Sequence, residues 1–150
     1  MKKIILIINL LIVVGASVFG YLYLIKPGLM NYHYAYLQMN ETEIIDFNLH
    51  IFDLMITFKK IIGGMFFCVA LFTLGIIYLN HKTTYDKANS FILFAALCFA
   101  TIPLTILSHR VAEAIPDGEP KPLWYLPVLL IVLAFVSTLI AQFSKSESRS

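Results

Sequence analysis

Four long apolar runs dominate the chain, and the polar residues are concentrated in the segments between them. The runs cover residues 4–25, 58–80, 88–108 and 123–143. Each is close to the ~20 apolar residues that a helix needs to cross a ~30 Å hydrocarbon core. The pattern predicts an all-α fold, in which residues 1–150 form one integral membrane domain with a bundle of four transmembrane helices.

The first run follows a short basic start, Met1-Lys2-Lys3. A cleavable signal peptide is the alternative for this segment, because Gly15-Ala16-Ser17 has the small residues that a cleavage site requires. The apolar run continues well past these residues, through Tyr21-Leu-Tyr-Leu-Ile. We therefore expect it to remain as the first span.

The connection between the first two spans begins with Lys26-Pro27-Gly28, which is expected to end the first helix. A set of rings with polar tips follows, of the kind found at the level of lipid headgroups. These are Tyr32, His33, Tyr34 and Tyr36.

An amphipathic pattern begins at Thr42 and leads into the second span. Its apolar positions are spaced by four, three and four residues: Ile45, Leu49, Phe52 and Ile56. Its polar positions take the other face: Glu43, Asp46, His50 and Asp53. This spacing predicts a short amphipathic helix on or near the membrane surface. The alternative is that the segment is only an overlong first turn of the second span.

The loop from Ser108 to Pro122 holds five charged residues and three prolines. Prolines in this loop predict a fixed path, and Pro103 predicts a kink in the third span. Trp124 and Tyr125 are expected to anchor the start of the fourth span at the interface.

Composition supports a membrane domain and excludes some partners. The chain is 59% hydrophobic and 13% charged, with a mean hydropathy of +0.82. Its net charge is +2 and its basic residues are scattered, so we expect no nucleic-acid partner. Cys68 and Cys98 lie in apolar runs without a redox or zinc spacing.

The distribution of lysine and arginine favours one orientation only weakly, but the basic start of the first helix usually decides. We expect a multi-pass protein of the cell membrane with both termini in the cytoplasm. Most acidic residues then lie on the outer side, together with Lys60, Arg110 and three histidines, His33, His50 and His109.

A candidate ligand-binding site follows from this arrangement. It consists of Lys60, Gly63, Gly64, Arg110, Asp117 and Gly118. The glycine pair is expected to let the third or fourth helix approach, and Asp117 to bridge the two cations. Such a site would recognise an anionic lipid headgroup or a small acid. An interfacial ion-pair cluster is the simpler alternative.

Catalytic and metal chemistry have little support. The histidines do not have the spacing of a helical metal site, so we expect no metal, no haem and no other cofactor. Ser108 and His109 are neighbours in sequence, which is not the spatial arrangement of a catalytic triad. No catalytic residue is assigned.

Two motifs resemble the paired signatures of a family of small bacterial four-helix membrane proteins related to the DoxX-like group, a domain of unknown function. They are Lys60-Ile-Ile-Gly63-Gly64 at the second span, and Arg110 upstream of Asp117-Gly118-Glu119-Pro120. The resemblance extends from about Pro27 to the end of the fourth span. It departs from the family where Lys60 replaces the usual arginine and where the fourth span lacks an acidic residue.

The resemblance implies a four-helix membrane architecture and a bacterial inner membrane, but no established activity. Two functions remain open: a binding or accessory protein for a lipid-like or small anionic ligand, and an accessory subunit of a membrane oxidoreductase. The expected partner is a membrane lipid. A membrane protein partner and a homo-oligomer also remain open.

Overall fold

The structure, a computed structural model, describes residues 2–82 and 87–143, without the side chains of residues 81 and 82. Five helices and no strand are found in these ranges. They are α1 (Lys2–Ile25), α2 (Asn31–Leu37), α3 (Glu41–Lys82), α4 (Lys87–Ala114) and α5 (Tyr125–Phe143). All but α2 are long and apolar enough to cross a membrane. The predicted all-α helical bundle is confirmed.

Helix α3 is interrupted at Asn48, whose backbone is extended (φ −168°, ψ 107°). The Asn48 side-chain oxygen accepts hydrogen bonds from the backbone N–H groups of His50 (2.9 Å) and Ile51 (3.3 Å), as an N-cap does. A short first part, residues 41–47, is thereby separated from a long helix. The predicted amphipathic segment is thus divided between the two.

Three features of the helices differ from the predictions. Helix α2 was not predicted, and α5 begins two residues later than expected, at Tyr125. Helix α4 continues beyond residue 108 to Ala114, so that Arg110 lies on a helix rather than in a loop. Its end is set by Pro116, because the residue before a proline disfavours the helical conformation.

The core lies where α1 meets α3 and where α4 meets α5, with α1 also packed against α5. Small and medium-sized side chains fill it. They are Ile12, Ala16, Phe66, Ala70, Ile76, Leu93, Leu97, Leu130 and Ala134. Large apolar side chains such as Phe99 (88% exposed) cover the outer faces. Such a surface is compatible with a multi-pass membrane protein.

Buried hydroxyl groups connect the helices within this core. Ser137 of α5 donates to the Asn9 side-chain oxygen of α1 (2.9 Å). The Thr138 hydroxyl lies 3.0 Å from the backbone oxygen of Ser90 on α4 and 2.9 Å from that of Ala134 in its own helix. Such bonds between helices stabilise association inside a bilayer.

A close helix crossing brings Gly20 of α1 against Gly63 of α3. A Cβ atom at Gly63 would lie only 3.0 Å from side-chain atoms of Tyr23 and Leu24 and 3.1 Å from the Gly20 carbonyl oxygen. Gly64, by contrast, would meet nothing within 4 Å. The expectation that the glycine pair admits the third or fourth helix is therefore wrong. Gly63 faces the first helix, because it is in phase with the buried stripe of α3.

The two adjacent glycines provide a matched pair of variants. Gly63→Ala forces α1 away from α3, and overpacking of this kind costs ~1–3 kcal/mol. Gly64→Ala has open space and gains helix propensity, worth up to ~1 kcal/mol in water. Thermal unfolding in detergent, followed by circular dichroism, should show a lower midpoint only for Gly63→Ala. Equal midpoints for the two variants would contradict the crossing.

Candidate functional site

Polar side chains gather at one end of the bundle, which we call the α2 end. It comprises the connection between α1 and α3 (residues 26–40), the connection between α4 and α5 (residues 115–124), and the adjoining helix turns. Most of the candidate chemistry lies here.

Lys59 is the buried cation of the α2 end, with only 2% of its surface exposed. Its Nζ donates to the backbone carbonyls of Lys26 and of Gly28, the latter at 2.5 Å. These oxygens lie just beyond the end of α1, where backbone carbonyls lack helical partners and the helix dipole is negative. Lys59 therefore caps a helix other than its own.

Lys60, the lysine in the sequence-based site, is exposed. It has no ion pair within residues 2–82 and 87–143. The adjacent Lys59, rather than Lys60, shares the inward stripe of α3 with Gly63 and Phe66. The structure thus places the interior contact one residue earlier than the sequence analysis did.

Asp117 does not bridge Lys60 and Arg110. Its Oδ1 accepts from the Lys121 ammonium at 2.8 Å, and this hydrogen bond lowers the pKa of Asp117. Arg110 is exposed on α4 and, like Lys60, makes no ion pair with a described residue. Gly118 has a positive φ of 93° in the turn that follows Asp117. The site residues on α3, α4 and this loop are not joined by ion pairs.

A cavity of about 280 Å³ opens at the α2 end between α1, α4 and the loop before α5. Its inner walls are apolar and include Phe19, Phe66 and Leu104, while Leu22, which also lines the cavity, is about half exposed. Its mouth carries polar groups: Lys26, Asn31, Tyr32, Ser108 and Lys121. A concave site with a few converging polar groups on apolar walls is typical of ligand binding.

The groups at the mouth are ordered by hydrogen bonds. The Lys26 ammonium donates to the Asn31 side-chain oxygen at 2.7 Å. The hydroxyls of Tyr23 and Tyr32 lie 2.8 Å apart. Burial raises the pKa of Tyr32, so this hydroxyl keeps its proton. The mouth therefore presents a cation and neutral hydroxyl groups.

His33 reports the electrostatic character of this region. Its Nδ1 accepts from the backbone N–H of Met30 at 3.0 Å, which requires that nitrogen to be unprotonated. Burial, followed by the positive charges of Lys59 and Lys26, lowers the pKa of His33 to about 4. Protonation of His33 is therefore disfavoured, first by burial and then by the two nearby cations.

An acidic groove of about 810 Å³ lies on the other side of α2, between α2, the start of α3 and the loop after α4. Its carboxylates are Glu41, Glu43, Asp117 and Glu119. The Glu41 carboxylate accepts from the Tyr34 hydroxyl (2.6 Å) and Glu43 from the Asn40 backbone N–H (2.7 Å). Asp117, predicted to help bind an anion, thus lines a groove whose charge repels one.

The sequence analysis missed the residues that build the cavity mouth. Lys26 was treated only as a helix end, Tyr32 as an interface anchor and Ser108 as a failed triad member. No spacing rule connects these residues, because they come from three separate segments. The one available indication was helical periodicity: Lys59, Gly63 and Phe66 are spaced so that they lie on the same face of α3.

The two cysteines stand apart from this site. Cys68 and Cys98 are both free, and neither lines the cavity. Within the described ranges, no group of three or more His, Cys, Asp or Glu side chains is placed to hold a metal ion.

The fold and site define the class of this chain as an all-α helical bundle compatible with a multi-pass membrane protein. No family model, curated protein or solved structure matches it.

Lys59 and Lys60 allow the helix cap to be tested. Lys59→Met leaves the partly buried carbonyls just beyond α1 without their donor, and each such loss costs ~1–3 kcal/mol. Lys60→Met alters an exposed side chain and should change stability by no more than ~0.5 kcal/mol. The measurement is thermal unfolding of both variants in the same detergent. If Lys59→Met unfolds at the temperature of Lys60→Met, Lys59 is not a stabilising cap.

Proposed function

We propose that this chain is a small binding or accessory membrane protein, and that the cavity at the α2 end takes a lipid-like or small anionic ligand. The observation that carries the proposal is the combination of apolar inner walls with a cationic mouth. Lys26 supplies the cation, and it has a neutral asparagine partner rather than a carboxylate.

Charge supports an anion over a neutral ligand. Lys59 lies behind the mouth with carbonyl rather than carboxylate partners, and Lys121 at the rim is paired with Asp117. The carbonyls offset Lys59 only by their dipoles, and the Glu41 carboxylate beside Gly28 offsets part of its charge. Lys26 therefore carries the positive charge of the mouth. Charge-assisted hydrogen bonds from Lys26, helped by the Ser108 and Tyr32 hydroxyls, are suited to phosphate or carboxylate oxygens.

The proposed site replaces part of the one predicted from sequence. Lys60 and Arg110, both exposed, would act through long-range attraction at most, and Asp117 would hold Lys121 in place rather than contact the ligand. No catalytic residue forms part of the proposal.

For location, we propose a cell membrane with both termini in the cytoplasm, which places the α2 end outside. The basic Met1-Lys2-Lys3 start supports this orientation. The DoxX-like resemblance supports a bacterial inner membrane and leaves room for a membrane protein partner or a homo-oligomer. For the alternative, an oxidoreductase accessory subunit, no described contact gives specific support.

The binding proposal predicts a charge-selective ligand. In native mass spectrometry of the purified protein, phosphatidylglycerol should bind and zwitterionic phosphatidylcholine should bind more weakly. Lys26→Gln should weaken phosphatidylglycerol binding about tenfold, the size expected for one charge-assisted contact.

Lys60→Gln is the matched control, because it removes the same charge outside the cavity. It should leave phosphatidylglycerol binding unchanged. Equal effects of the two substitutions would point to general surface attraction and refute the cavity as the site.

The orientation predicts which positions a membrane-impermeant thiol reagent reaches in intact cells. With Cys68 and Cys98 replaced by serine, Asp117→Cys should be labelled. Ser148→Cys, at a position outside the described ranges, should react only after the cells are opened. Labelling of Ser148→Cys from outside would show that the proposed orientation is wrong.

A further inference from the structure

The cavity at the α2 end is the first of three neighbouring spaces along α3 and α4. Phe66 and Leu104, on its inner wall, also line a narrow space of about 40 Å³. The walls of that space include Met65, Val69 and Ala100, and the same three residues line a cleft of about 240 Å³. The shared lining residues make the three spaces successive neighbours along α3 and α4, and we call the three together the α3–α4 track.

The track exists because α3 and α4 pack less extensively than the other neighbouring long helices. On α4, its walls are the small side chains Ala96 and Ala100. On α3, they include Met65 (48% exposed) and Phe72 (42% exposed), so the cleft is open at its side. A hydrocarbon chain could therefore enter from the bilayer without any opening of the bundle.

The length of the track matches one leaflet. On α4 it extends from Ser108 at the mouth to Ala96 in the cleft, which is about 18 Å at the helical rise of ~1.5 Å per residue. One leaflet contributes about half of the ~30 Å hydrocarbon core. A lipid whose headgroup lies at Lys26 would thus keep its acyl chain at the same depth as the acyl chains of the surrounding bilayer lipids.

We propose that the α3–α4 track holds one acyl chain of an anionic phospholipid whose headgroup lies in the cavity beside Lys26. The inference rests on the proposed function and names its ligand. A bare carboxylate would leave most of the head cavity unfilled, whereas a glycerophosphate group has the size and the acceptors for Lys26, Ser108 and Tyr32. A helix of a second copy, ~10 Å wide, cannot follow the narrow section between the two larger spaces.

The experiment distinguishes the binding of the acyl chain from the binding of the headgroup. Ala100→Leu fills the narrow section and the cleft, whereas Ala95→Leu adds the same bulk at an exposed neighbouring position that does not line the track. Ala96→Leu is a second variant that fills only the cleft. Binding of long-chain phosphatidylglycerol and of its chain-free headgroup, glycerophosphoglycerol, is measured by native mass spectrometry. Circular dichroism confirms that each variant is folded.

The expected result is a loss of about tenfold in phosphatidylglycerol binding for Ala100→Leu and Ala96→Leu, with no loss for Ala95→Leu, because only the first two displace chain contacts. Glycerophosphoglycerol should bind all three alike and lose affinity only with Lys26→Gln.

Three other outcomes would overturn the inference in distinguishable ways. If Lys26→Gln weakens both ligands but the leucine variants weaken neither, the head site stands and the chain lies elsewhere. If Lys26→Gln has no effect on either ligand, the proposed function fails together with the track. Tighter binding of a fatty acid than of phosphatidylglycerol would reject the phospholipid as occupant.

Discussion

The contact between the Lys59 amine and the carbonyls beyond the end of α1 is the constraint on which the α2 end depends. An amine removed from water in a bundle interior needs hydrogen-bond acceptors, and the free carbonyls after a helix need donors. The Lys59 amine donates to these carbonyls, so both the amine and the carbonyls have a hydrogen-bond partner. The contact also fixes Lys26, because the backbone oxygen of this residue is held by Lys59 while its side chain is held by Asn31. The position of the cationic mouth is therefore set by the same contact that binds the carbonyls beyond α1.

Positive and negative side chains are separated onto the two sides of α2, and the composition alone does not show this separation. The chain is nearly neutral, yet a cationic cavity lies on one side of this short helix and an acidic groove on the other. Asn31 and Pro120 line both spaces, so the two are direct neighbours. Lys121, at the rim of the cavity, is drawn to Asp117 of the groove. This separation leaves Lys26 as the cation available to a ligand.

The sequence was sufficient for the fold because four apolar runs of bilayer length permit few alternatives. It was also sufficient to place the helix end at Pro27 and to recognise the residues around Thr42 as distinct from the span that follows. Asn48 as the point of interruption was not predicted. A single asparagine in a helical pattern has no signature until its side chain is seen to cap the next turn.

The site was less predictable, because its residues meet only in three dimensions. The buried lysine lies one position before Lys60, and the period of α3 could have located it: Lys59, Gly63 and Phe66 share one stripe. Tyr32, Ser108 and Lys121, by contrast, belong to segments whose proximity depends on how α4 ends. Helix α4 ends several residues later than the apolar run suggested. Its last turns are polar on the outside and buried only at Ala112, so they do not continue the apolar pattern.

The cap on α1 has a consequence for the order of assembly during synthesis. The first span reaches the bilayer with open carbonyls at its far end, and their donor is a side chain from the following span, 33 residues after Lys26. Until that span arrives, those carbonyls depend on water. The first two spans are therefore most stable when they enter the lipid together as a hairpin closed by the Gly20–Gly63 crossing. The remaining two helices then add to this hairpin, and α5 supplies the Ser137 donor for the buried Asn9 of α1.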